Sequence, residues 1–168
     1  MKTLTYLLLL VLMPFLSIAQ RNNTLITVAL AADFPKNTHV LGGHFTINGE
    51  VSPDVYLGAG IGISEFQHDD NLYVPLYANF IFLPSTRRSN VKLLVNLSPG
   101  YGIYNRSYRI GQLAYKTTGG FYFFGGIGVM GMGRVKPFMA IGYARYGFND
   151  HGASYGSDAV ALRMGIGI

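Results

Sequence analysis

Residues 54–83 read DVYLGAGIGISEFQHDDNLYVPLYANFIFL, two strand-length segments on either side of one polar interruption. In the first, Val55, Leu57, Ala59, Ile61 and Ile63 alternate with Tyr56, Gly58, Gly60, Gly62 and Ser64. In the second, Val74, Leu76, Ala78, Phe80 and Phe82 alternate with Tyr73, Pro75, Tyr77, Asn79 and Ile81. Period-2 alternation marks a strand whose two faces meet different surroundings. A strand of a soluble sandwich carries Lys, Glu, Asp or Arg on its outer face, and neither interior here has a charge. Lipid outside and a packed lumen inside fit that pattern.

The composition points the same way. Only 12% of the 168 residues are charged and the mean hydropathy is +0.27, against a charged share of roughly 25% in soluble domains. The longest apolar run, Tyr6 to Phe15, falls short of the roughly 20 residues of a spanning helix. A chain this apolar therefore crosses a membrane as strands, and strands in lipid must close into a barrel so that no backbone edge is left unpaired. The formal charge of +5 rests on 13 basic residues scattered over turns and loops, which speaks against nucleic acid. Cysteine is absent, so disulfides, thiol chemistry and an acylated cysteine anchor are excluded.

Outward from the opening stretch, residues 1–19 combine Lys2, the apolar core LLLLVLMPFL and the exit Ser17-Ile18-Ala19, the layout of a signal peptide cleaved before Gln20. Residues 20–168 are expected to be one domain. Its first strand is predicted over Thr24 to Phe34, with Ile26, Val28, Leu30 and Ala32 opposed to Leu25, Thr27, Ala29 and Ala31. The second covers Val40 to Val51, with a turn that begins at Asn48-Gly49 and finishes at Ser52-Pro53. The fifth covers Val91 to Tyr104, and Asn105 to Gly119 is expected to be the longest connection. The sixth covers Gly120 to Met130; aromatic on both faces at its start and with Gly125, Gly126 and Gly128 later, it leaves its phase open, and Phe121, Phe123, Ile127 and Val129 are the outward set chosen. The seventh covers Val135 to Tyr146, the eighth Asp158 to Ile168, and Phe148 to Ser157 is a polar connection between them. The expected fold is all-β: an eight-stranded antiparallel up-and-down transmembrane β-barrel with its lumen filled by side chains, as a barrel of that size requires.

On this phase Arg163 faces the lumen. A one-residue slip would put it in hydrocarbon at a cost of roughly 2 to 4 kcal/mol near the midplane. Lys92, Lys136, Glu50 and Asp54 share its parity near strand ends, so its partners are expected among these and the inward tyrosines, with Glu50 as candidate counter-ion. His44 also faces inward, where a packed, hydrogen-bonded histidine is expected. Inward Gly58, Gly60, Gly62, Gly142, Gly165 and Gly167 are expected to make room for Tyr56, Tyr73, Tyr77 and Phe138.

SIAQ, YLGAGIGIS, YVPLYANFIF, GGFYFFGGIGVMG and ALRMGIGI together give a pattern that resembles the small eight-stranded outer-membrane β-barrel proteins, the porin-like or OmpA-OmpX-like barrel domains of the Bacteroidota type. The resemblance covers nearly all of residues 20–168. It implies a bacterial outer-membrane location, insertion from the periplasm with the help of chaperones and the barrel-assembly machinery, both termini inside, and contact with the bilayer and lipopolysaccharide as a monomer. The chain departs from it in a first external connection as short as a turn, near Pro35, and in Ile168 where such barrels often end on an aromatic residue.

Candidate chemistry is sparse, and no cofactor is expected. Gly58-Ala59-Gly60-Ile61-Gly62 lacks the helix and acidic residue of a dinucleotide loop. His68, Asp69 and Asp70 lie in one external connection and Asp150 and His151 in another, and these types could ligate a divalent cation. An acyl hydrolase or transferase acting on lipid A would need a nucleophile and a base, and the nearest set, Asp150, His151 and Ser154, sits in a single loop. Arg106, Tyr108, Arg109, Tyr115 and Lys116 mix basic and aromatic groups in the longest connection, which suits a lipopolysaccharide-contacting rim or a ligand or adhesion surface. The function expected is therefore structural or surface interaction without catalysis. A soluble lipocalin-like carrier is the rival, and it requires the greasy face inside.

Overall fold

The computed structural model describes residues 24–36, 38–67, 71–84, 90–110, 112–150 and 153–168, with side chains except at 71, 105–117, 150 and 153. Eight strands form: β1 Thr24–Pro35, β2 Val40–Ser52, β3 Val55–Phe66, β4 Asn71–Phe82, β5 Val91–Ile110, β6 Gln112–Gly131, β7 Lys136–Asp150 and β8 Ala153–Gly167. Each pairs antiparallel with the next, and β8 returns to β1 to close the barrel. Closure runs through to Ile168, whose N–H donates to the Ile26 carbonyl while the Ile26 N–H donates back, both at 2.9 Å. Closure leaves no open edge along the paired lengths, as lipid requires.

The alternation of the sequence becomes two surfaces. Val28, Leu30, Leu57, Ile61, Ile63, Leu76, Leu93, Ile127, Ile141, Val160, Met164 and Ile166 are exposed on the outside. Tyr73, Tyr77, Tyr122, Tyr146, Phe124 and Leu94 are buried within. In β6, Phe121, Ile127 and Val129 face out while Tyr122, Phe124 and Met130 face in. Along β8 the apolar outward run from Val160 to Ile168 spans about 26 Å of strand, hence about 20 Å of height at a tilt near 40°. Just above it sit Arg145 and Asp158, register partners on β7 and β8, half-exposed and 3.6 Å apart. The Tyr143 hydroxyl donates to Asp158 at 2.5 Å. Outward Phe34, Tyr101, Phe121 and Tyr143 place aromatic rings at the same border, as an interfacial girdle does.

Three local expectations are corrected. Asn48 and Gly49 do not begin a turn; they lie inside β2, paired with Leu25 and Thr24, because the Asn48 side chain finds its partners inside the lumen. The turn is made by Pro53 and Asp54, and Asp54 has φ 66°. Aspartate tolerates that left-handed conformation better than most residues. Asn105 to Gly119 is not a loop, since β5 and β6 continue as a ladder to the pair Ile110 and Gln112. Phe148 to Ser157 is likewise ladder, down to Asp150 opposite Ala153. Both hairpins rise past the apolar belt, where neither face meets lipid and the hydrophobic alternation that marks a strand has no cause.

Candidate functional site: the filled lumen and the projecting hairpins

The lumen is filled in two tiers. Nearer the rim that holds Thr24 and Ile168, a band of small polar side chains crosses the barrel from β1 and β2 to β4 and β5. Thr27 and Thr46 share a hydrogen bond of 2.7 Å. The Asn48 amide donates to the Leu25 carbonyl at 3.0 Å and to Thr46 Oγ1 at 2.8 Å. Asn79 Nδ2 donates to Asn48 Oδ1 at 2.7 Å, and Ser98 Oγ donates to Asn79 Oδ1 at 2.8 Å. The Asn48–Asn79 bond joins β2 to β4 across β3, and it can do so because β3 presents glycine there. A Cβ on Gly58 would lie 2.7 Å from Asn48 Oδ1, and one on Gly60 would meet the Tyr77 ring. This is a physical role for the glycine-alternating strand.

Above the band sits the charged and aromatic tier. Arg163, 5% exposed, donates to the Tyr122 hydroxyl, and its guanidinium carbon lies 3.6 Å above the Phe124 ring. Asp33, 1% exposed, accepts a hydrogen bond from the Tyr146 hydroxyl. His44 is buried with Nδ1 3.1 Å from the Tyr77 hydroxyl, and a Cβ on Gly62 would lie 2.6 Å from that nitrogen. Higher still, Phe66 makes edge contacts with Tyr73, Tyr104, Tyr146 and Phe148 at centroid distances of 5.4 to 6.3 Å. These rings close the lumen near the hairpin end.

Arg163 therefore spends its hydrogen bond on tyrosine and its face on phenylalanine, not on Glu50. Glu50 is the register partner of Tyr56 in β2 and β3, whereas Arg163 lies opposite Ala31, and Ala31 opposite Gly42, well along β2 from Glu50. Lys92 and Asp54 form an ion pair at the terminal rim, so neither is the partner of Arg163. Lys136 lies opposite Gly167 at the foot of β7, half-buried, and Tyr56 packs on the edge of the core. The acid in the same tier as Arg163 is Asp33. Its parity with Leu25, Thr27, Ala29 and Ala31 is the signal that would have found it.

The hairpin residues are placed by backbone alone. Arg106 pairs with Lys116, Tyr108 with Ala114, Arg109 with Leu113, and Tyr115 with Ser107. The described residues thus put the basic and aromatic set on one projecting ladder, with Arg106 and Lys116 as cross-strand neighbours. His68, Asp69, Asp70 and His151 lie outside the described residues, as does the side chain of Asp150. Among the described residues no three His, Asp or Glu groups gather as metal ligands would. Ser154 is exposed and pairs with Asn149 in the β7–β8 ladder.

A polar and aromatic lumen inside a greasy exterior is the reverse of a lipocalin-like carrier. The fold is that of the small eight-stranded outer-membrane β-barrels. Neisserial surface protein A is similar in structure at a TM-score of 0.62 with 12% identity, over 86% of this chain and 94% of that one. The N-terminal β-barrel domain of Pseudomonas aeruginosa OprF is similar at 0.54 with 13% identity, over 87% and 98%. No family model and no curated protein matches the sequence. The likeness lies in the fold of the barrel.

Proposed function

We propose that this chain is a non-enzymatic integral protein of a bacterial outer membrane, exported through a cleaved signal peptide, that supports the envelope and makes surface contacts through its projecting hairpins. The observation that carries this reading is the apolar outer belt wrapped around a lumen occupied by side chains. A surface of that kind is stable only in lipid, and a lumen of that kind leaves no path for solutes. The termini and short turns would face the periplasm and the long hairpins the outside. There Arg106, Tyr108, Arg109, Tyr115 and Lys116 would meet anionic lipopolysaccharide or a ligand. Chaperones and the barrel-assembly machinery would be its partners during insertion, and the monomer its working form.

Gel migration with and without heating tests the membrane reading. The protein extracted in detergent should run faster unheated than boiled, as a folded barrel does, and should leave solution when detergent is removed. A mature chain that stays monomeric and folded in detergent-free buffer would sink the proposal. For the surface role, alanine at Arg106 and Arg109 should weaken retention of cells expressing the protein on anionic surfaces without changing barrel migration. Unchanged retention would count against the hairpin.

A further inference from the structure

Seven of the eight strand pairings join neighbours in sequence, whose connections restrict how the two strands align. The pairing of β1 with β8 joins strands at opposite ends of the described chain, so no turn sets its register. The outer face of this seam carries no register information. Ile26, Val28 and Leu30 lie opposite Ile168, Ile166 and Met164, and a slide of two residues exchanges one apolar contact for another in a solvent equally apolar. Parity does not forbid the slide either, because a two-residue shift keeps inward residues inward. Inside, Thr27 and Ala29 face Gly167 and Gly165, and Ala31 faces Arg163. A Cβ on Gly165 would collide with the Val28 carbonyl, so packing opposes the slide that brings Arg163 opposite Ala29, but the slide that brings Gly167 there keeps a glycine at that approach.

The seam does carry two buried charges, one on each strand. Asp33 stands opposite Ala161, one inward step from the pair Ala31 and Arg163. Each ion is held by a tyrosine of the β6–β8 sheet. Tyr146, fixed on β7 opposite Ser157 of β8, donates to Asp33 of β1 over the top of β8. Arg163 donates to Tyr122 of β6 and rests on Phe124. A two-residue slide would carry Asp33 about 7 Å along the seam. The Tyr146 hydroxyl could not follow, since a hydrogen bond fails beyond roughly 3.2 Å, and a buried carboxylate would lose its donor.

We propose that the Tyr146–Asp33 bond, beside Arg163 clasped by Tyr122 and Phe124, is the register lock that selects how β1 closes onto β8. A buried polar contact that fixes pairing at some expense of stability is the best-attested use of such groups. The lock is a property of barrel closure and does not depend on what the hairpins bind.

Cysteine pairs across the seam test it, since the chain has no cysteine of its own. Val28→Cys with Ile166→Cys reports the native register, whose hydrogen-bonded partners fall within disulfide range at about 5.5 Å between Cα atoms. Val28→Cys with Met164→Cys, and Val28→Cys with Ile168→Cys, report the two slides. With Asp33 and Tyr146 intact, only the native pair should cross-link in membranes. In the Asp33→Ala and Tyr146→Phe backgrounds a slipped pair should gain cross-linking by up to about tenfold, the shift one hydrogen bond can carry. Ser98→Ala, which removes lumen hydrogen bonds to Asn79 and Asn96 on β4 and β5, away from the seam, should leave the slipped pairs at background. Slipped pairs that stay at background in both variants overturn the lock, and so does an equal rise in Ser98→Ala. Should Asp33→Ala not assemble, Tyr146→Phe, which loses one hydroxyl and keeps its ring, decides alone.

Discussion

At the residue scale the barrel depends on where side chains are absent as much as on where they are present. Gly58 lets Asn48 and Asn79 meet across β3, and its missing Cβ is space already occupied by Asn48. Gly43, on the outer face of β2, has nothing nearer than the Ala29 carbonyl at 3.9 Å from a built Cβ. Gly58→Ala should therefore lower the yield of folded, heat-modifiable barrel sharply, while Gly43→Ala should leave it unchanged or slightly improved, because alanine restricts the unfolded chain. Asn48→Leu removes donors to the Leu25 carbonyl and to Thr46 and the acceptor for Asn79. It should cost about 2 to 3 kcal/mol, since buried partners are left unmet, measured by denaturant unfolding in lipid vesicles. An unchanged unfolding midpoint would show that the band is not a stabilising network.

At the element scale the strands divide into a length that meets lipid and a length that does not. Outward residues of the belt should be intolerant of charge. Ile141→Lys should destabilise by about 2 to 4 kcal/mol if it sits near the midplane, whereas Asn149→Lys, on the exposed upper part of β7, should be nearly neutral. Equal effects at both positions would place the bilayer elsewhere. The same division explains what could be read in the sequence. The alternation of Val55 to Ile63 and of Val160 to Ile168 is imposed by lipid on one side and packing on the other, so strands and faces are legible there, whereas Gly125, Gly126 and Gly128 leave the phase of β6 open until the structure buries Tyr122, Phe124 and Met130. Nothing imposes it on Asn105 to Gly119 or on Phe148 to Ser157, so the sequence there has the look of a loop where the structure has ladder. Asp33, an acid near the end of a weakly alternating strand, looks like surface until β8 and Tyr146 are brought beside it. Asn-Gly at Asn48 favours a turn, and only the lumen reveals the partners of Asn48 on β1, on β4 and at Thr46 of its own strand.

At the scale of the whole molecule two independent properties meet, a lipid-compatible exterior and a closed interior. The closed interior predicts that the protein, reconstituted in planar bilayers, shows no steady porin-like conductance; the buried rings of Tyr73, Tyr122, Tyr146 and Phe124 occupy the path. A sustained open level of the kind wide barrels give would contradict the packing. The exterior is the central claim, and β8 offers its most direct measurement. Single cysteines placed in turn at Ala159, Val160, Ala161, Leu162, Met164 and Ile166, spin-labelled in lipid vesicles, report collision with oxygen, which concentrates in hydrocarbon, and with a water-soluble relaxer. Val160, Leu162, Met164 and Ile166 should collide strongly with oxygen and weakly with the relaxer, with Ala159 and Ala161 shielded from both. Outward positions that collide mainly with the water-soluble relaxer, or a profile without the two-residue period, would contradict a membrane-spanning barrel.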